Sequence, residues 1–487
     1  MKKFVVKTLG CKANYSDGQL LEVGLQAQGF QSTHDLGSAD LVVVNSCTVT
    51  DEADRQSQKL ARDLARKNPN AKIIYTGCAA EVNPELALKI KGISAVVGNQ
   101  NKDAAPALIA DYFHRHFNAT SPQLAPEILG SVTNYGTLAS RHPMDREWAL
   151  PEAELSTILS LNTESSTFRT RAFIKVQEGC DSFCTYCIIP YGRGPARSLS
   201  IEVIVDQIKN LVANGIQEVI LTGTNIGDYG LDFAGRLQVD ALLEAILTQT
   251  ALARLRIGSL DPTEISDRMV ELMETYPAFC PHFHVSIQHV SSKILKLMKR
   301  KYNWEQVEAT LFKLAAMKRV PFVGMDLITG FPGETDADFE ESMERLKFLP
   351  WSRLHVFPYS ERTGTPATKL PGKVKPEVRK ERAKRLQAIS LERLTRHYSE
   401  ARASLSAESK PILQKVLLES SVKGPDGNLN WMTGYAPNYQ RVLIAPQLGL
   451  VPLRNQIVDV QVSRWLVDRA SGEVSWLGEK VLAEDSK

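Results

Sequence analysis

Residues 179–190 read GCDSFCTYCIIP and place Cys180, Cys184 and Cys187 on one short loop with the spacing CxxxCxxC. Iron–sulfur clusters are bound by cysteine thiolates, and a [4Fe-4S] cube normally has four of them. Three thiolates leave one iron open, as a catalytic metal site keeps an open position for its substrate. A zinc site would need a second cysteine or histidine pair, which does not follow here, and three cysteines cannot pair off as disulfides. The spacing therefore predicts a cluster with one open iron.

The composition is that of a globular protein, with 487 residues, seven cysteines and a formal net charge of +3. This length fits about three domains. Because the chain has neither a run of eighteen apolar residues nor a signal-like start, we expect no membrane association and a cytoplasmic location. In a reducing compartment the cysteines favour metal binding over disulfides. Since the net charge is small, any nucleic-acid surface has to be a local basic patch.

Three further cysteines each follow a predicted strand in the N-terminal part, residues 1–112. These strands alternate with helices and predict a doubly wound parallel α/β domain. Their expected ranges are 3–8, 40–45 and 72–77. Because ligands bind at the carboxyl ends of such strands, Cys11, Cys47 and Cys78 are expected to meet there. They would hold a second three-thiolate cluster; the alternative is three buried structural cysteines.

Residues 168–402 continue the alternation of strands and helices through about six units, which predicts a partial (β/α)6, TIM-like barrel. The active groups of such barrels lie at the carboxyl ends of the strands, and the loop of Cys180 follows the first strand in this way. Glycine turns and polar residues follow the later strands in the same register. The segment before this core, residues 113–167, has weak periodicity and predicts an interdomain linker.

The C-terminal residues 405–487 change to short strands separated by turn residues, which predicts a small OB-like β-barrel. Tyr435 and Tyr439 could stack on RNA bases or form part of the barrel core. Ahead of this barrel, residues 369–402 hold eleven Lys or Arg against four Glu. Such a stretch is either a solvated helix face or a phosphate-binding surface. Four residues that could extend this surface are Lys296, Lys299, Arg300 and Lys301.

The loop CxxxCxxC with Tyr186 before its last cysteine resembles the radical S-adenosylmethionine (SAM) enzymes, in which the open iron binds SAM. The resemblance implies further SAM contacts at the strand ends, such as the backbone of Gly223 near the SAM amino group. The residues implied near the cofactor are Tyr186, Gly223, Thr224, Ser259, Gln288, Asp326 and Gly330. The chain departs from the family at Gln288-His289-Val290, where Gln-Ser-Gly is usual.

The N-terminal cysteines ahead of this core resemble the methylthiotransferases. The spellings TLGCKAN at residues 8–14 and NSCTVTDEA at residues 45–53 are similar to the branch that modifies threonylcarbamoyl-adenosine in tRNA. The branches acting on isopentenyl-adenosine or on a ribosomal-protein aspartate are usually spelled differently at the first cysteine. Residues 431–442, WMTGYAPNYQRV, resemble the RNA-binding TRAM domain. Arg362, at the end of the core, is a candidate for substrate contact, or lies in a surface turn.

The resemblance implies an enzyme that adds a methylthio group to carbon 2 of threonylcarbamoyl-adenosine at position 37, beside the anticodon. Acid–base groups cannot activate that C–H bond, whereas a radical formed from SAM can. The cofactors implied are two [4Fe-4S] clusters and SAM; the partners are tRNA, an electron donor of the flavodoxin or ferredoxin type, and a sulfur source. The alternatives are the substrates of the two other branches, or a non-catalytic iron–sulfur protein that binds RNA.

Overall fold

Three β structures organise the chain: a six-stranded sheet, a pair of parallel sheets and a closed barrel. The computed structural model describes residues 2–117, 125–130, 170–406, 412–427, 431–446, 454–468 and 471–481. None of the described helices combines the length and the apolar character needed to cross a membrane.

The first sheet is wholly parallel, with the strand order β2-β1-β3-β4-β5-β6. Its strands are β1 (Lys3–Thr8), β2 (Gln31–Ser32), β3 (Leu41–Ser46), β4 (Lys72–Gly77), β5 (Ala95–Val97) and β6 (Glu127–Leu129). Its helices are Lys12–Ala27, Asp51–Lys67, Cys78–Val82, Pro84–Leu88 and Ala105–His116. Apolar clusters cover both faces, and every residue of β3 is buried. A strand buried on both faces needs a nearly continuous apolar run, which β3 has.

The expected linker at residues 113–167 is wrong at its start. The helix Ala105–His116 runs past residue 113, and β6 pairs in parallel with β5 as the edge strand of the first sheet. A strand of three residues is too short to show a period of two, so sequence periodicity could not reveal it. Residues 118–124 and 131–167 of that segment lie outside the described residues.

The core is an open, partial barrel made of two parallel sheets, β11-β10-β7 and β12-β13-β14-β15. Its strands are β7 (Arg171–Lys175), β10 (Glu218–Thr222), β11 (Arg254–Ile257), β12 (Ser259–Leu260), β13 (His282–Gln288), β14 (Phe322–Thr329) and β15 (Arg353–Pro358), with a small ribbon of β8 (Gln177–Glu178) and β9 (Arg197–Ser198). Its helices are Ile189–Arg193, Ile201–Ala213, Val239–Gln249, Asp267–Thr275, Ser292–Leu297, Trp304–Ala315, Asp336–Phe348 and Pro376–Ser406. One large apolar cluster packs these helices on the strands, which confirms the predicted α/β class.

The C-terminal barrel is closed, with the strand order β16-β17-β18-β20-β19. Its strands are β16 (Ile412–Val422), β17 (Trp431–Tyr435), β18 (Arg441–Ile444), β19 (Ile457–Asp468) and β20 (Glu473–Lys480). Trp476 fills its centre and lies 5.0 Å, between ring centroids, from Tyr398 of the helix Pro376–Ser406. Closure leaves no exposed strand edge, and the long helix ties the barrel to the core.

Two arginines of β11 fasten the barrel across the amino-terminal end of the core strands. Arg256 donates to the carbonyl oxygens of Pro437 and Ala436 at 2.7 and 2.9 Å and to the carboxylate of Glu218 at 2.9 Å. Arg254 donates to the carbonyl oxygens of Tyr435 and Lys415 at 2.9 and 2.7 Å. Since Arg256 and Glu218 are buried, this contact is held by charge-assisted hydrogen bonds away from water.

We expect Arg256→Met to lower the free energy of unfolding by about 3–5 kcal/mol, because it leaves Glu218 buried without this partner. The measurement is urea unfolding, with limited proteolysis to report release of the barrel. The control is Arg268→Met, which removes an equally long but exposed side chain paired with Glu244 and Glu271. An equal loss of stability in both variants would contradict the proposed docking role.

Candidate functional site

The three N-terminal cysteines lie at the carboxyl edge of the first sheet. Cys11 caps the helix Lys12–Ala27, Cys47 follows β3, and Cys78 begins the helix after β4. The strands that precede them are neighbours, with Thr8 opposite Asn45 and Ser46 opposite Gly77. Burial raises the pKa of Cys78 to about 12; Arg193 opposes this rise, and the charges of Cys11 and Cys47 add to it. The structure brings these thiols together, while cluster binding stays a prediction.

Small residues and buried amides fix the loops that carry these thiols. Gly10 has a φ of +98°, and a Cβ there would lie 2.5 Å from the sulfur of Cys47, so only glycine fits. Asn14 donates from Nδ2 to the carbonyl oxygens of Leu9 and Ser46, and Asn45 donates to the carbonyl oxygen of Asn14 at 2.8 Å. The loops of Cys11 and Cys47 therefore form one hydrogen-bonded unit. Cysteine thiolates are the usual ligands of iron–sulfur clusters, so the chemistry of this donor set suits such a cluster, although the described residues show no preformed metal geometry.

A cluster of five buried charges joins the first sheet to the core beside these thiols. Its members are Asp17 and Lys102 of the N-terminal part and Lys175, Glu178 and Arg193 of the core. Arg193 donates to Glu178 at 2.8 Å and pairs with Asp17 at 3.0 Å. Burial alone would raise the pKa of Glu178, yet the three cations hold it well below its usual range. The charged cluster fixes how the two parts meet.

The second set of cysteines lies on the loop between β8 and the helix Ile189–Arg193. Gly179 has a φ of +75°, and a Cβ there would lie 1.7 Å from the carbonyl oxygen of Pro195. Burial raises the pKa of Cys187 to about 12; smaller contributions raising it come from Cys184 and Cys180. These thiols thus lie close together, as the spacing CxxxCxxC predicts. The helix that follows places Gly192 close to Cys78. A Cβ added at Gly192 would lie 3.5 Å from the Cβ of Cys78.

Arg300 lies against the second set of thiols, a placement that the sequence did not reveal. Its guanidinium donates to the sulfur of Cys184 at 3.0 Å and to the hydroxyl of Tyr302 at 3.0 Å, and it pairs with Asp261. The hydroxyl of Tyr186 lies 3.4 Å from the same guanidinium. The side chain is largely buried, so the expectation that Arg300 extends a basic RNA surface is wrong. Its position in a run of basic residues hid this role.

The residues expected near SAM lie along the strand ends, but several of their groups are already engaged. The backbone N–H of Thr224, next to Gly223, donates to the side chain of Gln177 at 3.1 Å. The backbone N–H of Gly330 donates to Glu334 at 2.5 Å. Asp326 pairs with His284 at 2.8 Å. Two of these backbone donors therefore serve the turns themselves.

Of two more of these residues, one is exposed and the other has an unusual backbone conformation. Ser259 is exposed at the start of β12. Gln288 ends β13 with a φ of +59°, a strained conformation for a side-chain-bearing residue. Such strain is often found at ligand sites, so Ser259 and Gln288 stay predicted cofactor contacts.

Arg362 and the two tyrosines expected to contact RNA lie in contacts between parts of the chain. Arg362 donates to Asp54 at 2.9 Å and to the hydroxyl of Thr48, which directly follows Cys47. Tyr435 stacks on Tyr439 with their ring centroids 5.0 Å apart, and the Tyr439 hydroxyl accepts from Arg171 at 2.8 Å. The tyrosines thus belong to the docking contact between barrel and core. Arg362 is buried and holds the Cys47 loop, whereas both tyrosines are half-buried and their contact with RNA stays a prediction.

Two family descriptions match the chain: the radical SAM superfamily over residues 174–346 and the uncharacterized protein family UPF0004 over residues 3–98. A threonylcarbamoyladenosine tRNA methylthiotransferase MtaB of Bacillus subtilis is 33% identical, over 93% of this chain and 92% of that protein. One of Aquifex aeolicus is 33% identical, over 81% and 90%. A tRNA-2-methylthio-N(6)-dimethylallyladenosine synthase of Lawsonia intracellularis is 29% identical, over 88% and 90%.

Among solved structures, the radical SAM methyltransferase TsrM of Kitasatospora setae, with cobalamin and a [4Fe-4S] cluster bound, is similar in fold. The TM-score is 0.51 at 16% identity, and the match covers 75% of this chain and 74% of that one. At this identity the likeness concerns the fold alone.

We expect Asp17→Asn to lower the free energy of unfolding by about 3–5 kcal/mol, because it leaves three buried cations against one carboxylate. Lys102→Met should lower the free energy of unfolding by a smaller amount, since it removes the surplus cation. Burial already lowers the pKa of Lys102 to about 8. Thermal unfolding of the cluster-free protein measures both. Asp111→Asn, at an exposed pair with Arg115, is the control. A larger loss for Lys102→Met than for Asp17→Asn would contradict this charge balance.

Proposed function

This chain belongs to the tRNA methylthiotransferases, a family of radical SAM enzymes, and from that premise we propose that it converts threonylcarbamoyladenosine at position 37 of tRNA to its 2-methylthio derivative. The observation that carries the proposal is identity of 32–34% to relatives with this name over most of the chain. The relative named for dimethylallyladenosine is less similar, at 29%. The motif spellings around Cys11 and Cys47 favour the same substrate.

The family's cofactors are SAM and [4Fe-4S] clusters. When bound, they supply a radical that can attack a C–H bond of adenine and the sulfur and methyl groups of the product. We propose that Cys180, Cys184 and Cys187 hold the cluster that binds SAM, and that Cys11, Cys47 and Cys78 hold the second one. The short distance from Gly192 to Cys78 supports a single cleft for both sets, since Gly192 is only five positions after Cys187.

Within this proposal, Arg300 and Arg362 position the two sets of thiols, one arginine for each set. Arg300 places a positive charge and an N–H donor at the sulfur of Cys184, where it would tune the potential of a bound cluster. Arg362 orients the segment after Cys47 by its contacts with Thr48 and Asp54. Both therefore act as positioning residues, and their placement inside the protein supports that role.

The tRNA would meet the basic helix Pro376–Ser406 on its outer face only. Arg379 and Arg382 point inward, where they pair with Glu361 and Glu334. Lys380 and Lys384 lie one turn apart and are exposed, so we propose them as phosphate contacts. An electron donor of the flavodoxin or ferredoxin type and a sulfur source complete the set of proposed partners.

The substrate is tested by nucleoside analysis of tRNA from a strain that lacks the gene and from the same strain carrying it on a plasmid. We expect 2-methylthio-threonylcarbamoyladenosine to disappear without the gene, with accumulation of the unmethylthiolated nucleoside, and to return with the plasmid. Loss of the 2-methylthio-isopentenyladenosine instead would show that the other tRNA branch is correct. Unchanged tRNA nucleosides would contradict both tRNA substrates and favour the ribosomal-protein aspartate.

The two cysteine sets are tested by iron and sulfide content after anaerobic reconstitution. We expect about eight irons in the wild type and about four in Cys11→Ala/Cys47→Ala/Cys78→Ala, since each set of thiolates holds one cube. Cys280→Ala is the matched control, because Cys280 is buried in the core and should leave about eight. About four irons in both the wild type and the triple variant would contradict a second cluster.

A further inference from the structure

A cavity of about 320 Å³ lies between the strands of the partial barrel and the C-terminal barrel, whose Tyr435, Tyr439 and Arg441 line one side of it. Lys12, directly after Cys11, forms part of its wall. The core contributes His284, Gly324, Arg353 and His355. Arg353 and His355 also line a wider cleft of about 520 Å³ beside the helix Pro376–Ser406, so the cavity has an open approach.

The cavity carries two cations that no carboxylate neutralises. Among the residues that the structure describes, neither Lys12 nor Arg353 forms an ion pair or a side-chain hydrogen bond. The nearby carboxylates are already paired, Asp326 with His284 at 2.8 Å and Glu473 with Arg441 at 2.5 Å. Glu218, at the amino-terminal end of the core, pairs with Arg256. The wall therefore carries unneutralised positive charge, which is complementary to a carboxylate on a ligand.

The two remaining imidazoles of the wall supply hydrogen bonds rather than charge. Burial lowers the pKa of His355 to about 4, helped by His284, Arg353 and Lys12. Burial lowers the pKa of His282 well below its usual range. Both side chains are thus neutral near pH 7, and each can donate one N–H to an anion.

The floor of the cavity is open because residue 324 has no side chain. A Cβ at Gly324 would lie 3.5 Å from Nδ1 of His284 and 3.6 Å from Nε2 of His355. The two rings lie 5.0 Å apart between centroids. Alanine would just touch both rings, and any longer side chain would occupy the space between the two cations and the imidazoles.

We propose that this cavity binds the threonyl carboxylate of the substrate nucleoside, with Lys12 and Arg353 as the cations that receive it. The inference rests on the proposed function, whose nucleoside carries on N6 a group that ends in a carboxylate. Charge-assisted hydrogen bonds to a carboxylate are strong and directional. An isopentenyl group would leave both cations unpaired, so the same residues would reject it. Lys12 directly follows Cys11 in the chain, so it links this cavity to the loop that carries the first of the N-terminal thiols.

The test measures binding of a fluorescent anticodon stem-loop to the reconstituted full-length protein without SAM. One RNA carries threonylcarbamoyladenosine and a second carries its methyl ester, which lacks the negative charge and is one methyl group larger. We expect the wild type to bind the acid about 10- to 100-fold more tightly than the ester, as hydrogen bonds to charged groups contribute. Lys12→Met and Arg353→Met should each lose most of that ratio and bind the ester as the wild type does.

Matched controls remove the same charges elsewhere. Lys59→Met and Arg464→Met change exposed side chains and should keep the acid-to-ester ratio. Gly324→Leu, which adds no charge, should weaken binding of the acid by filling the floor. Iron content is measured for Lys12→Met because its neighbour is Cys11; if iron is lost, Arg353→Met and Gly324→Leu decide the question.

The outcomes separate this inference from the proposed function. Equal binding of acid and ester by the wild type, in a protein that methylthiolates the acid RNA, would overturn the carboxylate site alone. Equal weakening of both RNAs by Arg353→Met would show a phosphate contact instead of a carboxylate contact. A wild type that modifies an isopentenyladenosine stem-loop and not the threonylcarbamoyl one would overturn the proposed function together with the inference.

Discussion

The buried charges between the first sheet and the core determine where the two sets of cysteines meet. Glu178 immediately precedes the loop of Cys180, and Asp17 belongs to the helix that Cys11 caps. Arg193 pairs with both carboxylates and lies beside Cys78. Ion pairs removed from water tolerate little displacement, because a separated buried charge costs several kcal/mol. The apolar clusters provide stability on each side, but these few directional contacts set the geometry of the cleft.

The core is held from both ends of its strands, with different chemistry at each. At the carboxyl end, Arg362 and the buried charges join it to the loops that carry the thiols. At the amino end, Arg254 and Arg256 reach out to backbone carbonyls of the closed barrel. An incomplete barrel has an accessible interior, and here the third β structure covers one mouth of it. The cavity with Lys12 and Arg353 is what remains open between these two attachments.

Much of the architecture follows from local patterns, because alternating strands and helices and cysteine spacing are properties of neighbouring residues. The strands, the class of the fold and the meeting of Cys11, Cys47 and Cys78 were all accessible in this way. The partners of arginines were not, since a long flexible side chain can reach residues hundreds of positions away. Arg300 was expected on the surface and lies at Cys184, while Arg362 was expected at the substrate and reaches Thr48.

The attachment of the barrel has a consequence for synthesis of the chain. Domains fold in the order in which they leave the ribosome, N-terminal parts first. Arg254 and Arg256 emerge about 180 residues before their carbonyl partners at residues 435–437. Until then the amino end of the core faces water, and a product that stops early keeps it exposed to proteases. Synthesis of the barrel thus acts as a checkpoint for the core, since this end of the core is covered only after residues 435–437 have been made and folded.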